Sequence, residues 1–191
     1  MIMTKDFFLE ATEISPVIPA VNSEERLEIA LRTESPLIYV LYGDICNITD
    51  IVARIKETGK KAIVHVDLVG GLATKEIALD FMDKYVHPDG IISMKSNLIS
   101  HANELGFLTI QRFYIMDVLT YRNVEKHIRL AGPDVVEFMP AGLTKAMGYL
   151  MEDVDKPIVA SGLVLDKQDI MEALKIGAVA VSTTNKDLWD C

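Results

Sequence analysis

Eight short, almost uninterrupted apolar runs recur along the chain at nearly constant spacing, at residues 14–18, 37–42, 62–67, 90–95, 107–112, 135–139, 157–161 and 178–182. Runs such as LIYVLY, AIVHVD and AVAVS lack the in–out alternation of a half-exposed strand. They predict parallel strands covered on both faces. The stretches between them repeat apolar residues at helical spacing, as in Ile77, Ala78, Phe81, Met82 and Tyr85, or Leu143, Met147, Leu150, Met151 and Val154. Eight such βα units predict an α/β fold of the (β/α)8 TIM-barrel type, a single domain over residues 1–191. A doubly wound open sheet satisfies the same periodicity and stays open at this point.

Turn and cap chemistry agrees with the alternation. Asn22 with Glu25 fits a capping box, and Asn47, Thr74, Asn97, Asp117 and Asp166 fit helix N-caps. Gly59, Gly106 and Gly177 stand where a left-handed C-cap is needed. Half of the 191 residues are apolar, enough for one large core, and no linker or low-complexity segment interrupts the pattern.

Composition excludes several function classes. With 19 basic and 28 acidic residues the net charge is −9, so the chain is no general polyanion binder, and any nucleic-acid contact must be a local patch. Cys46 and Cys191 stand far apart without a CxxC or Cys/His cluster, which predicts neither a disulfide scaffold nor a zinc site. The stretch MIMTKDFFLEATE lacks the apolar run of a signal peptide, and no run of about 18 apolar residues occurs. A reducing cytoplasm, with no membrane contact, is the expected setting.

In a barrel, ligands bind at the C-terminal ends of the strands. The polar residues there are His65 and Asp67, Ser93 and Lys95, Gln111 or Arg112, and Glu137. A ring of His65, Asp67, Lys95 and Glu137 is either a wet pocket or an ion network that saturates itself. Lys95 is the cation expected to meet a phosphate. His65-x-Asp67 alone offers too few ligands for a catalytic metal, because His87, His101 and His127 fall in loops or helices, so no metal and no cofactor are expected. Gly70 and Gly71 permit a tight or mobile loop, and Trp189 is expected to dock the C-terminal segment. The last third reads as a phosphate cup. Ser161 and Gly162 follow the seventh strand, Ser182 and Thr183 the eighth, and Thr184 with Asn185 opens a short helix whose N–H donors face an anion.

The segments HVDLVGGL, GIISMKSNLI, IQRFYIMD, VVEFMPAG, ASGL and AVSTTNKDLW, in this order and spacing, resemble the glycerol-3-phosphate-responsive antiterminators, the glycerol uptake operon antiterminator regulatory proteins of bacteria. The resemblance runs from about residue 14 nearly to the end. It implies a regulator that binds glycerol 3-phosphate and acts on leader mRNA of glycerol-utilisation genes, with no catalytic residues. It implies that Gly162, Ser182, Thr183 and Thr184 hold the phosphate with Ser161 close by, and that Lys95 is the family's basic position. His65, Asp67, Gln111, Arg112 and Glu137 would reach the glycerol hydroxyls or shape the pocket. The loops carrying Gly70, Gly71, Gly142 and Gly162 are expected to order on ligand binding. The acidic charge leaves three routes for RNA: a small patch, a patch assembled by a homodimer, or a member that kept only the sensor. The alternative is a phosphate-ester enzyme, of isomerase, epimerase or phosphodiesterase type, using Asp67, Glu137 or Lys95 as acid or base.

Overall fold

The computed structural model describes residues 3–191. The strands are β1 Val17–Val21, β2 Leu37–Val40, β3 Lys61–His65, β4 Gly90–Ser93, β5 Leu108–Tyr114, β6 Val135–Met139, β7 Ile158–Ser161 and β8 Ala180–Thr183. Each pairs in parallel with its neighbour in sequence, and β8 returns to β1 with Val17 opposite Val181 and Ile18 opposite Ser182. That last pairing closes the ring and excludes the open sheet.

The helices are α1 Lys5–Ile14, α2 Glu24–Ala30, α3 Ile48–Glu57, α4 Ile77–Phe81, α5 Ser96–Glu104, α6 Val118–Ala131, α7 Thr144–Asp153 and α8 Lys167–Lys175. Helix α4 runs on into a π-type turn, Met82–Val86, and the eighth unit ends in a single 3-10 turn, Lys186–Leu188. Two apolar cores result. One lies between strands and helices and contains Ile38, Val64, Ile91, Phe138 and Val181. The other fills the lumen with Ile18, Leu37, Tyr39, Ile63, Ile92, Ile110, Val135, Val159 and Ala180, and it includes Met3, Phe8 and Ala11 from the start of the chain. Helix α1 therefore packs on the lumen residues, an arrangement that strand periodicity does not announce.

That helix moves the first strand. Ile14, expected to start β1, is the exposed last residue of α1, and Pro16, with no N–H to continue a helix, separates it from a strand at Val17–Val21. The caps differ in part. Ser23, not Asn22, caps α2 by accepting from the Arg26 N–H at 3.3 Å. Asn97 lies inside α5, and Thr74 precedes the α4 cap position at Glu76. Asn47 stands at the N-cap of α3, but its Oδ1 accepts from the Asp44 N–H at 2.8 Å. Asp117 caps α6, and Asp166 with Asp169 forms a reciprocal capping box on α8.

Trp189 is buried and its Nε1–H donates to the Thr183 carbonyl at 2.8 Å, so the C-terminal segment is pinned to the end of β8. Removing the indole leaves a cavity, and Trp189→Ala is expected to cost about 3–5 kcal/mol. Trp189→Phe keeps much of the volume but orphans the carbonyl, costing about 1–3 kcal/mol. Urea unfolding of the two variants beside wild type measures both numbers, and equal midpoints would show that the segment is not anchored this way.

Candidate ligand site at the barrel mouth

Residues two apart on a strand share a face, so the lumen core identifies what lies above it. Leu37 leads to Tyr39, Ile63 to His65, Ile110 to Arg112, Val135 to Glu137, Val159 to Ser161 and Ala180 to Ser182. The last lumen layer is thus polar. Its centre is Glu137, which has no exposed surface. Glu137 Oε2 accepts from Arg112 Nε at 2.6 Å, and Oε1 accepts from the Ser182 hydroxyl at 2.7 Å. Burial pushes this carboxyl up, but the Arg112 charge and hydrogen bond, with help from Ser182, outweigh it and hold the group below the usual range. Glu137 is a carboxylate with both oxygens committed. For Arg112, Glu137 and Ser182, the self-saturating network is the arrangement found.

His65 lies beside this pair. Burial, then the Arg112 charge, push its pKa down to about 4, so the ring is neutral near pH 7. Its Nδ1 is buried 3.7 Å from Asp67 Oδ2 without a hydrogen-bond partner among the described residues. The Tyr39 hydroxyl and Ser161 Oγ are likewise buried and unpartnered. Burial and the Glu137 charge keep the Tyr39 phenol protonated. Three uncharged hydrogen-bonding groups therefore surround a compensated ion pair.

Other expected residues go elsewhere. Asp67 sits in a 3-10 turn, Val66–Leu68, and Oδ2 accepts from Ser93 Oγ at 2.9 Å and the Met94 N–H at 2.8 Å, bracing the β3 end against the β4 end. Gln111 falls on the opposite face of β5 from Arg112 and donates to Ser96 Oγ at the start of α5 at 3.0 Å. Lys95 is exposed at the start of α5, outside the cleft described next. Gly142 lines a separate groove. Gly70 is fastened rather than loose, donating to the Gly43 carbonyl at 2.9 Å and accepting from the Ile45 N–H at 3.0 Å.

Above the polar layer lies a cleft of about 480 Å3 whose lining includes Ser161, Gly162, Ser182, Thr183, Thr184 and Arg112. All five residues expected at the cup on the β7 and β8 ends meet there. Gly162 has φ +70°, a left-handed conformation that favours glycine, while the nearest atom to an added Cβ, Met139 Cε at 2.8 Å, is the movable end of a side chain. The short last helix departs from expectation: it is one 3-10 turn, its leading N–H groups are taken by Thr183 Oγ1 (from Asn185) and Asn185 Oδ1 (from Asp187), and α8 is capped by its own carboxylates. Positive charge comes instead from arginines. Arg26, on the first turn of α2, lines the cleft and donates through Nη1 to the Thr184 carbonyl. In the sequence it is one charge on a solvated helix. Only the β8–β1 closure, which sets α2 beside the cup, marks it.

A cleft lined by hydroxyls, a glycine and two arginines, over a compensated polar lumen, sits at the C-terminal mouth of a (β/α)8 barrel. Residues 17–189 match the family model described as glycerol-3-phosphate responsive antiterminator, and the chain belongs to that family. It is 39% identical over 175 residues to the uncharacterized protein YgcP of Escherichia coli (strain K12), covering 92% of each chain. Its fold is similar to the glycerol uptake operon antiterminator regulatory protein of Listeria monocytogenes, with TM-score 0.89 and 30% identity over 92% of this chain and 95% of that one. A glycerol uptake operon antiterminator-related protein of Thermotoga maritima gives TM-score 0.83 and 27% identity over 93% and 99%.

His65 makes the site's stability depend on pH. Below about pH 6.5 an unfolded histidine takes up a proton that the folded ring, held near 4, refuses. Stability attributable to His65 is therefore full above pH 6.5 and is lost as pH falls towards 4, by up to about 1.4 kcal/mol per pH unit. The difference in unfolding free energy between wild type and His65→Gln, followed from pH 7 to pH 5, isolates this slope, and parallel curves would contradict a neutral buried ring.

Proposed function

We propose that the chain is a cytoplasmic sensor that binds glycerol 3-phosphate in this cleft and, in response, acts on leader mRNA to prevent premature termination. The observation carrying the reading is the convergence of Gly162, Thr183, Thr184, Arg26 and Arg112 on one cleft directly above uncharged buried groups. In this pose the phosphate takes the cup and the arginines, because charge-assisted hydrogen bonds to an anion are the strong ones. The glycerol end points into the lumen, where Ser161 Oγ, the Tyr39 hydroxyl and His65 Nδ1 are matched to hydroxyls.

The same layer supports sensing over turnover. It contains no lysine, and its one carboxylate is tied to Arg112 and Ser182, so Glu137 is not free to serve as the carboxylate base of an isomerase. Glu137 also sets specificity in this reading. Its charge balances Arg112, so a ligand whose far end is a carboxylate meets a buried like charge, whereas a polyol does not.

Calorimetry with glycerol 3-phosphate, glycerol, inorganic phosphate and 3-phosphoglycerate tests the proposal. Glycerol 3-phosphate is expected to bind best and to be recovered unchanged. Arg26→Ala, which leaves the lumen pair intact, is expected to weaken it by about 1.5–3 kcal/mol, the worth of a hydrogen bond to a charged group. Glu137→Gln is expected to narrow the gap between glycerol 3-phosphate and 3-phosphoglycerate. No binding of glycerol 3-phosphate by wild type would sink the reading, and its consumption would replace the sensor by an enzyme.

A further inference from the structure

We propose that the groove between the N-terminal ends of α6 and α7 is the RNA-docking surface, taking unpaired bases of a single strand while the exposed face of α6 meets the phosphates. The proposal rests on the antitermination reading above and locates the surface through which it acts. The groove measures about 520 Å3 and is lined by Ile115, Met116, Val118, Tyr121, Leu143 and Tyr149, with one carboxylate, Asp117, and one ammonium, Lys145, among the other lining residues. Met116 is 74% and Tyr149 52% exposed, large apolar and aromatic groups standing in water beside the ligand mouth. The Tyr121 hydroxyl is buried with no hydrogen-bond partner among the described residues. An apolar slot with one polar handle fits a flat heteroaromatic ring, and bases stack on aromatic side chains with little regard to sequence.

Charge selects the occupant. Helix α6 holds Arg122, Lys126 and Arg129 against Glu125, a net of +2, whereas each of the other seven helices is neutral or negative by the same count. The Lys145 ammonium lies over the Tyr149 ring, 5.8 Å from its centre, so a base stacking there meets a cation on a flexible stem that can swing to its phosphate. In a chain of net charge −9, Arg122 and Lys126 are exposed cations on the helix whose first turn lines the slot, while Arg129 is paired with Glu125. A neutral protein partner would use the apolar floor but gain nothing from the α6 cations, whereas single-stranded nucleic acid uses both.

The groove is also wired to the ligand cleft. The Ala141 N–H, in the loop that leads into α7, donates to the Gly162 carbonyl at 3.0 Å. A phosphate that fixes the Gly162 loop therefore fixes the β6–α7 loop carrying Gly142 and Leu143, and differential order at the groove is what a ligand needs to alter RNA affinity.

The test uses the full chain with two probes: a transcribed leader RNA containing a terminator hairpin from the host's glycerol-utilisation genes, and glycerol 3-phosphate. Fluorescence anisotropy reads RNA affinity with and without the small ligand, calorimetry reads glycerol 3-phosphate, and gel filtration reads oligomeric state. Tyr149→Ala is expected to weaken RNA binding about tenfold, the loss of one stacked base. Arg122→Ala with Lys126→Ala is expected to lower the salt slope by about 0.7 for each phosphate that is no longer neutralised. Glycerol 3-phosphate affinity should stay at the wild-type value in all variants, which reports that they fold. Wild type that binds RNA alongside variants that bind it equally well overturns the groove while leaving antitermination in place. Wild type that binds no RNA, with or without glycerol 3-phosphate, removes both. Variants that change oligomeric state with RNA affinity untouched give the groove to a second copy and also overturn the proposal.

Discussion

The ion pair between Arg112 and Glu137 organises the functional end of this barrel. Adjacent strands β5 and β6 place the two side chains opposite each other, with Glu137 wholly buried and Arg112 nearly so. A buried charge without its partner costs several kcal/mol, so neither residue is tolerable alone. Together with Ser182, on β8 across the lumen, the pair leaves the layer nearly neutral despite two full charges. That neutrality has three effects. It lets His65 stay unprotonated, it holds the guanidinium at the floor of the cleft instead of in solvent, and it commits the Glu137 carboxylate to Arg112 and Ser182.

The pair also separates this site from a generic barrel phosphate cup. Such cups rest on backbone N–H groups and on the N-terminus of a short extra helix. Here the extra helix is reduced to a turn whose leading donors are satisfied by Thr183 and Asn185, and α8 turns its own Asp166 and Asp169 onto its N-terminus. In the proposed pose, the positive charge that meets the phosphate therefore comes from Arg26 and Arg112. A cup that depends on side-chain cations is adjustable, because a cation held by a carbonyl, as Arg26 is by Thr184, can exchange that partner for an anion with little rearrangement.

Much of the fold was legible because parallel strands buried on both faces write themselves as continuous apolar runs, and all eight were found within a few residues. That Ser161, Gly162, Ser182, Thr183 and Thr184 line one cleft was legible for a related reason: they end or follow β7 and β8, and strand ends map directly onto the mouth. What stayed hidden depends on facing or on closure. Gln111 and Arg112 are adjacent, both polar, and one-residue parity decides which enters the lumen. Apolar neighbours on both faces give no alternation from which to read it. Lys95 follows β4 by two residues, but the chain has already turned into α5 there. Helix α1 leaves no mark in the βα period, and Arg26 becomes a site residue only because the ring closes from β8 to β1.

The acidity of the chain is compatible with an RNA-directed role once range is considered. Charges more than about 8–10 Å apart across solvent are largely screened at physiological salt, so a strand in the proposed α6–α7 groove feels Arg122, Lys126, Lys145 and Asp117 far more than the net −9 of the whole molecule. The overall negative field instead slows encounters and weakens non-specific binding elsewhere on the surface. Such a protein is a poor general RNA binder and depends on contacts made at one place. Because that place shares the Ala141–Gly162 hydrogen bond with the ligand cleft, the few contacts available are the ones a small phosphate ester is positioned to strengthen. The low background set by the acidic surface is what allows a coupling of about 1–3 kcal/mol to act as a switch.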